Sequence, residues 1–241
     1  MRIVVTGAEH PSAQRFIARM ALGNEIFGIS EQHGLDLGVP VFPGAARDLA
    51  GLIGFLPGAE VVVHASRRFV PEDLLALSAA AQGARVRRIV ALACGDLPAP
   101  IEIPAWPGPA PVLLAAALPI GADDVLGVEA ALRDWATQHR AGPGEVDLVD
   151  LADVDGAVET ALSRGRPGAL YPLCGPRLRW EALQALILGG APPPVAGEEH
   201  PLFRGDATLD DAPSRAELGW WHRDPSRSLR GLRRSTAGAG R

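Results

Sequence analysis

Lysine is absent from this chain of 241 residues: all 23 basic side chains are arginine, and Tyr171 is its single tyrosine. No ammonium group is available to lower the pKa of a tyrosine hydroxyl toward neutrality. Arginine cannot take over, because its guanidinium is bulkier and never gives up its proton. Cysteine is scarce as well. Cys94 and Cys174 lie far apart with no C-x-x-C spacing, which argues against a disulfide framework and a zinc site. His33, His139, His200 and His222 show no metal-ligand spacing either. No stretch is apolar for long enough to span a bilayer, and Met1 leads straight into a strand with no signal-peptide h-region. A net charge of −5 gives no electrostatic ground for nucleic-acid binding. These absences set the expectation of a reduced, cytoplasmic protein with no nucleic-acid and no membrane partner.

What is present is a large apolar fraction, 47% of the residues, ample for a buried core. Arginine without lysine, with abundant Ala, Gly and Pro, is the composition expected of a GC-rich bacterial genome. The length fits one large α/β domain, or a nucleotide-binding core with a small C-terminal lobe. Strand and helix signals alternate. Strands are expected over Arg2–Thr6, Glu25–Ser30, Val39–Phe42, Glu60–His64, Arg88–Ala93, Val112–Ala117 and Ala169–Leu173. Helices are expected over Ser12–Leu22, Ala46–Leu56, Pro71–Gln82, Val125–Gln138, Asp153–Arg164 and Leu178–Leu188. Continuous apolar strands between helices predict an α/β fold with a parallel, doubly wound sheet. The Pro-rich stretch Leu97–Pro111 cannot be an interior helix. Residues 191–201 read as a linker, Arg227–Arg234 as a solvated helix face, and 235–241 as a disordered tail.

Six segments in order resemble the extended short-chain dehydrogenase/reductase family, of the NAD-dependent epimerase/dehydratase type. They are RIVVTGAEHPSAQRFIARMAL, AEVVVHAS, VRRIVALACGD, VDLVDLADVDGAVETAL, GRPGALYPLCGPRLRWEALQAL and ATLDDAPSRAELGWWHRDPSRSLRGLRR. The resemblance implies a Rossmann-like core over residues 1–164 and a small C-terminal substrate lobe over 165–234. It also implies a nucleotide at the carboxyl ends of the strands, near Thr6, Gly7, His10, Ser30, His64 and Ala65.

The departures from the family pattern matter as much. The family's first loop reads T-G-x-x-G-x-x-G. Gly7 survives here, but His10 and Ala13 hold the second and third glycine positions, and Pro11 removes a backbone donor. Ser30 stands where the family places an acidic residue for the ribose, and Ala45 where it places an aspartate. The cofactor expectation is therefore none tightly bound, or NAD(P) weakly. The helix bearing the family's Tyr-x-x-x-Lys pair is missing, and the fifth strand ends in Ala93, Cys94, Gly95 and Asp96 instead of the usual serine. That loss uncovers one sheet face, to be covered by the Pro-rich loop, Trp106 or a second subunit.

Candidate catalytic groups are His10, Asp96 and Cys94, each with a plain structural alternative: helix start, cap and buried thiol. Candidate substrate contacts are Arg67, Arg68 and Tyr171. Two functional classes follow. One is a non-redox enzyme of isomerase, cyclase or lyase type acting on a small organic substrate. The other is a non-catalytic binding or partner-stabilising protein, as a homodimer or beside an active enzyme. A further alternative keeps NAD(P) chemistry with a non-standard proton donor.

Overall fold

A computed structural model of the chain describes residues 1–95, 105–121, 128–190 and 208–222. Its strands are β1 (Arg2–Thr6), β2 (Glu25–Ser30), β3 (Val41–Pro43), β4 (Val61–Ser66), β5 (Arg88–Ala93), β6 (Val112–Ala116), β7 (Leu118–Ile120), β8 (Glu145–Asp150), β9 (Leu170–Leu173) and β10 (Arg177–Arg179). The helices are α1 (Pro11–Met20), α2 (Leu49–Phe55), α3 (Pro71–Ala84), α4 (Val128–Gln138), α5 (Leu151–Arg164) and α6 (Trp180–Ile187). Seven strands form one parallel sheet in the order β3-β2-β1-β4-β5-β6-β9. The chain runs outward from β1 through β2 to β3 and then returns to place β4 on β1's other side. That reversal opens a crevice at the carboxyl ends of β1 and β4.

The period of two along each strand sorts the core. Ile3 and Val5, Val61 and Val63, Val90 and Leu92, and Val112 and Leu114 pack on one face with Phe16 and Ile17 of α1 and Val154 and Val158 of α5. Val4, Val62 and Ile89 pack on the other with Leu52 and Leu56 of the α2 region and Leu77 and Ala80 of α3. Each such Val, Leu or Ile contributes about 1.5–3 kcal/mol by leaving water. On the first face, Arg15 reaches the buried Asp155 carboxylate at 2.9 Å and so ties α1 to α5.

Part of the sheet face that the sequence reading left bare is covered by the chain itself. Trp106 packs with Leu74, Ala91, Leu113 and Phe69. Gly108 donates its N–H to Ser78 Oγ at 3.0 Å. A Cβ at Gly108 would lie 2.2 Å from the Ser78 carbonyl oxygen, so the strap can approach α3 this closely only as glycine. Of the covers the sequence left open, Trp106 and the neighbouring Gly108 of the Pro-rich loop lie on this face among the described residues.

A second sheet, β10-β8-β7, pairs β8 parallel with β7 and antiparallel with β10. The sequence reading expected none of the three: β7 and the six-residue β8 were not assigned, and β10 overlaps the start of the helix expected over Leu178–Leu188. Trp135 of α4 meets Trp180 of α6 edge-on at 5.7 Å. Residues 208–222 then strap the sheet's β9 edge. Ser214 Oγ donates to the Pro172 carbonyl. Tyr171 O–H donates to Glu217 at 2.6 Å and accepts from the Arg166 amide at 3.0 Å. Trp220 is buried and donates to the Asp153 carbonyl at 3.3 Å, whereas Trp221 is 71% exposed. Among the described residues no helix is long and apolar enough to cross a membrane. The linker, the Arg227–Arg234 segment and the tail lie outside the described residues.

Candidate functional site

A cavity of about 380 Å³ opens at the carboxyl edge of the sheet, between the β1–α1 loop, the end of β2, the end of β4 and the first turn of α3. Of the residues singled out in the sequence, it brings together Gly7, His10, His64, Ala65 and Arg67. It adds Glu9, Glu31 and Asp73, and the small residues Gly44, Ala45 and Ala46 keep one wall low. Gly7 has φ +68°, and a Cβ there would lie 2.1 Å from the Ala65 carbonyl oxygen. The glycine is therefore demanded by the neighbouring strand, whatever the ligand.

His10, a candidate proton-transfer group, has both ring nitrogens engaged. It is the N-cap of α1: its Nδ1 accepts from the Ser12 amide at 3.2 Å, and its Nε2 lies 2.8 Å from the Cys94 carbonyl oxygen. An Nδ1 that accepts must be unprotonated, so Nε2 carries the hydrogen and donates it to Cys94. Both ring nitrogens are engaged, and the ring is buried. Burial lowers its pKa, reinforced by the nearby Arg67 charge, although the Cys94 bond and Glu9 pull upward. The neutral, capped imidazole spans the crevice from the β1 loop to the end of β5.

That arrangement also engages several backbone donors near the helix start. Pro11 has no N–H. The Ser12 amide bonds His10, the His10 amide bonds the Gly7 carbonyl at 2.9 Å, and the Ala8 amide bonds the Ile29 carbonyl at 3.0 Å.

His64 lies inside β4, which runs two residues beyond the strand end expected from sequence. Its Nδ1 is 2.9 Å from Thr6 Oγ1, and its Nε2 has no hydrogen-bond partner. Burial, helped by His10, holds its pKa down to about 4, so the ring is neutral at pH 7. Glu9 Oε2 and Asp73 Oδ1 are likewise buried without a partner. Three orphaned polar atoms thus belong to residues lining one cavity. Each would cost about 1–3 kcal/mol, more for a charged oxygen, unless something supplies the missing bond. Burial raises the Asp73 pKa, with Glu31 and Glu72 adding to it and Arg47 opposing. Arg47 also pairs with Glu31 across 3.6 Å at the surface.

The remaining candidates lie elsewhere. Cys94 is fully buried, and burial pushes its thiol up to about 12, so no nucleophilic thiolate forms at neutral pH. Ser30 spends its hydroxyl on Gln32, accepting from its amide at 2.9 Å. Thr6 is buried behind His64. Arg68 is exposed and off the cavity wall. Tyr171 is fully buried on β9, three strands from β4, inside the Arg166–Glu217 strap and off the wall of this cavity. Asp96 lies outside the described residues. Sequence reasoning missed Glu9 and Asp73. Asp73 follows Pro71 and Glu72 at a helix start, where an acidic residue is ordinary, so nothing in the sequence set it apart.

No family model matches the chain, and no curated protein does. Solved structures do match over nearly the whole length. A UDP-glucose 4-epimerase from Thermotoga maritima, solved with UDP-glucose, is 15% identical with a TM-score of 0.74, covering 99% of each chain. A nucleoside-diphosphate-sugar epimerase from Pseudomonas aeruginosa is 19% identical with a TM-score of 0.74, covering 100% of this chain and 98% of that one. The Bordetella bronchiseptica enzyme WbmG, solved with NAD and UDP, is 19% identical with a TM-score of 0.72, covering 95% and 92%. This chain has the sugar-nucleotide epimerase fold. At such identities the likeness establishes the fold alone, and the fit of a dinucleotide must be read from the residues. Glu31, at the end of β2, is an acceptor suited to ribose hydroxyls. At the β1–α1 loop the Glu9 carboxylate lines the cavity while Pro11 and the capped amides withhold donors. Fewer backbone donors are therefore left at this loop for the diphosphate of NAD(P).

Proposed function

We propose that the chain is a small-molecule-binding protein of the epimerase fold whose cleft takes a nucleoside-sized ligand rich in hydrogen-bond donors. It does so without the Tyr–Lys hydride cycle. The observation that carries this reading is the cavity at the switch point of the sheet, with Glu9, Glu31, His64 and Asp73 among the residues that line it. Its volume of about 380 Å³ suits a nucleoside better than a whole dinucleotide. The ligand is the substrate of a non-redox step, in which the group suited to deliver a proton is Asp73, its carboxyl held above the ordinary range by burial. NAD(P) binds weakly at most. The test is calorimetry of the purified protein with adenosine, NAD and NADP, preceded by native mass spectrometry for a co-purifying ligand. Adenosine is expected to bind more tightly than either dinucleotide. Submicromolar binding of NAD or NADP would overturn this reading.

A second reading, an NAD(P)-dependent epimerase or reductase with a non-standard proton donor, is favoured by fold neighbours solved with NAD. It predicts that sugar nucleotides are turned over when NAD is supplied, and that Asp73→Asn abolishes turnover.

A further inference from the structure

We infer that His10 sets the length of ligand this cleft admits: its ring is a partition that ends the site after a nucleoside. The inference rests on the nucleoside-sized reading above. A crevice at the switch point of a doubly wound sheet offers a dinucleotide a continuous course, past the first helix start and on across the neighbouring strand ends. Here β4 lies between β1 and β5 in the sheet. His10, in the β1–α1 loop, reaches past β4 and donates through Nε2 to the Cys94 carbonyl oxygen at 2.8 Å, one residue beyond the end of β5. The ring therefore stands across that course. It also holds the second glycine position of the dinucleotide loop, where a missing side chain lets a pyrophosphate approach the backbone.

A second observation is where the cavity stops. Its walls come from the β1–α1 loop, the end of β2, the 44–46 turn, the end of β4 and the start of α3. Among the described residues, none from β5 or its exit lines it. His10 is on the wall and only 8% exposed, so the ring is packed in place. Arg67 closes the same side from the β4 exit. A Cβ built on Gly95 would lie 3.4 Å from Arg67 Cγ and 3.5 Å from its Cα, so Arg67 rests against the turn after β5. Swinging the imidazole aside breaks its bonds to Ser12 and Cys94 together. A ligand long enough to demand that loses roughly tenfold or more in affinity.

The experiment titrates adenosine and NAD by calorimetry at pH 8 into the wild type, His10→Ala and His10→Asn, each checked for an intact melting transition. The His10 pKa lies below its ordinary 6.5, so position 10 is neutral in all three proteins and no charge changes with the substitution. His10→Asn keeps a capping side chain on a shorter stem, and it carries the test if His10→Ala fails to fold. Both variants are expected to bind NAD about tenfold or more tightly than the wild type does, with adenosine within about threefold. Tyr171→Phe, off the cavity wall, is expected to change neither affinity and controls for general loosening. If NAD binding is unchanged in the folded variants, the ring is no partition and the inference is overturned, while the nucleoside-sized site stands. If adenosine gains as much as NAD, or Tyr171→Phe gives the same gain, His10 does not set ligand length and the inference fails. Wild-type protein that binds NAD as tightly as adenosine sinks it too. If the wild type binds no adenosine, the reading of the cleft falls and takes this inference with it.

Discussion

His10 Nε2 donates to the carbonyl oxygen of Cys94 across 2.8 Å, joining two residues 84 positions apart at the mouth of the crevice. The same ring caps α1 through Ser12. One side chain therefore fixes the start of the first helix and the exit of the fifth strand.

Removing that ring should cost stability before anything else. His10→Ala is expected to destabilise the protein by about 1–3 kcal/mol, from a lost cap and a lost buried bond. His10→Asn restores the cap alone and should recover part of the loss. Denaturant unfolding of both variants checks this. If His10→Ala is as stable as the wild type, the ring holds nothing together.

Acid should weaken the fold through His64. Its ordinary pKa is 6.5, and in the folded protein it is about 4. Between those values the unfolded chain binds a proton that the folded chain refuses. The stability is thus complete above pH 6.5 and is lost as pH falls toward 4, about 2 kcal/mol of it between pH 7 and 5. His10, also lowered, acts in the same direction. Asp73 and Asp155, both raised by burial, act oppositely at lower pH. Thermal melts should therefore fall from pH 7 to 5 in the wild type and flatten in His64→Gln.

The single tyrosine holds the strap on the β9 edge. Glu217 is held below the usual carboxylate range by the Arg166 guanidinium and then by the Tyr171 hydroxyl. Tyr171→Phe should lower the melting midpoint by about 2–4 °C and leave ligand affinity in the β1–β4 cavity untouched. A change in that affinity larger than about twofold would connect Tyr171 to the site after all.

How much of this was legible beforehand depended on distance along the chain. The seven-stranded sheet was readable because runs such as Glu60–His64 and Arg88–Ala93 bury both faces and leave a continuous apolar signal. Strands of three residues, β7 and β10, carry no period to detect. His10 was correctly marked as unusual, yet its partner Cys94 lies on another strand's exit, and no local pattern announces a bond of that span. Glu9 was invisible for a related reason: a carboxylate in a polar loop looks solvated until the cavity around it is seen.

Trp106 offers the most direct test of the rebuilt sheet face. Trp106→Ala should destabilise by about 2–4 kcal/mol, less than a fully buried tryptophan would cost at its greatest, because the ring is only partly covered. Limited proteolysis should then cut within residues 105–111 faster than in the wild type. Unchanged stability would mean that the strap rests on the sheet without supporting it.

Each outer strand of the main sheet contains a proline, Pro43 in β3 and Pro172 in β9. Proline has no N–H to offer an incoming strand, and the Pro172 carbonyl is already taken by Ser214. Neither border of the sheet is thus a ready template for strand addition. Assembly by edge-to-edge pairing, the usual route from an exposed border to a fibril, is closed at both ends by the chain's own residues.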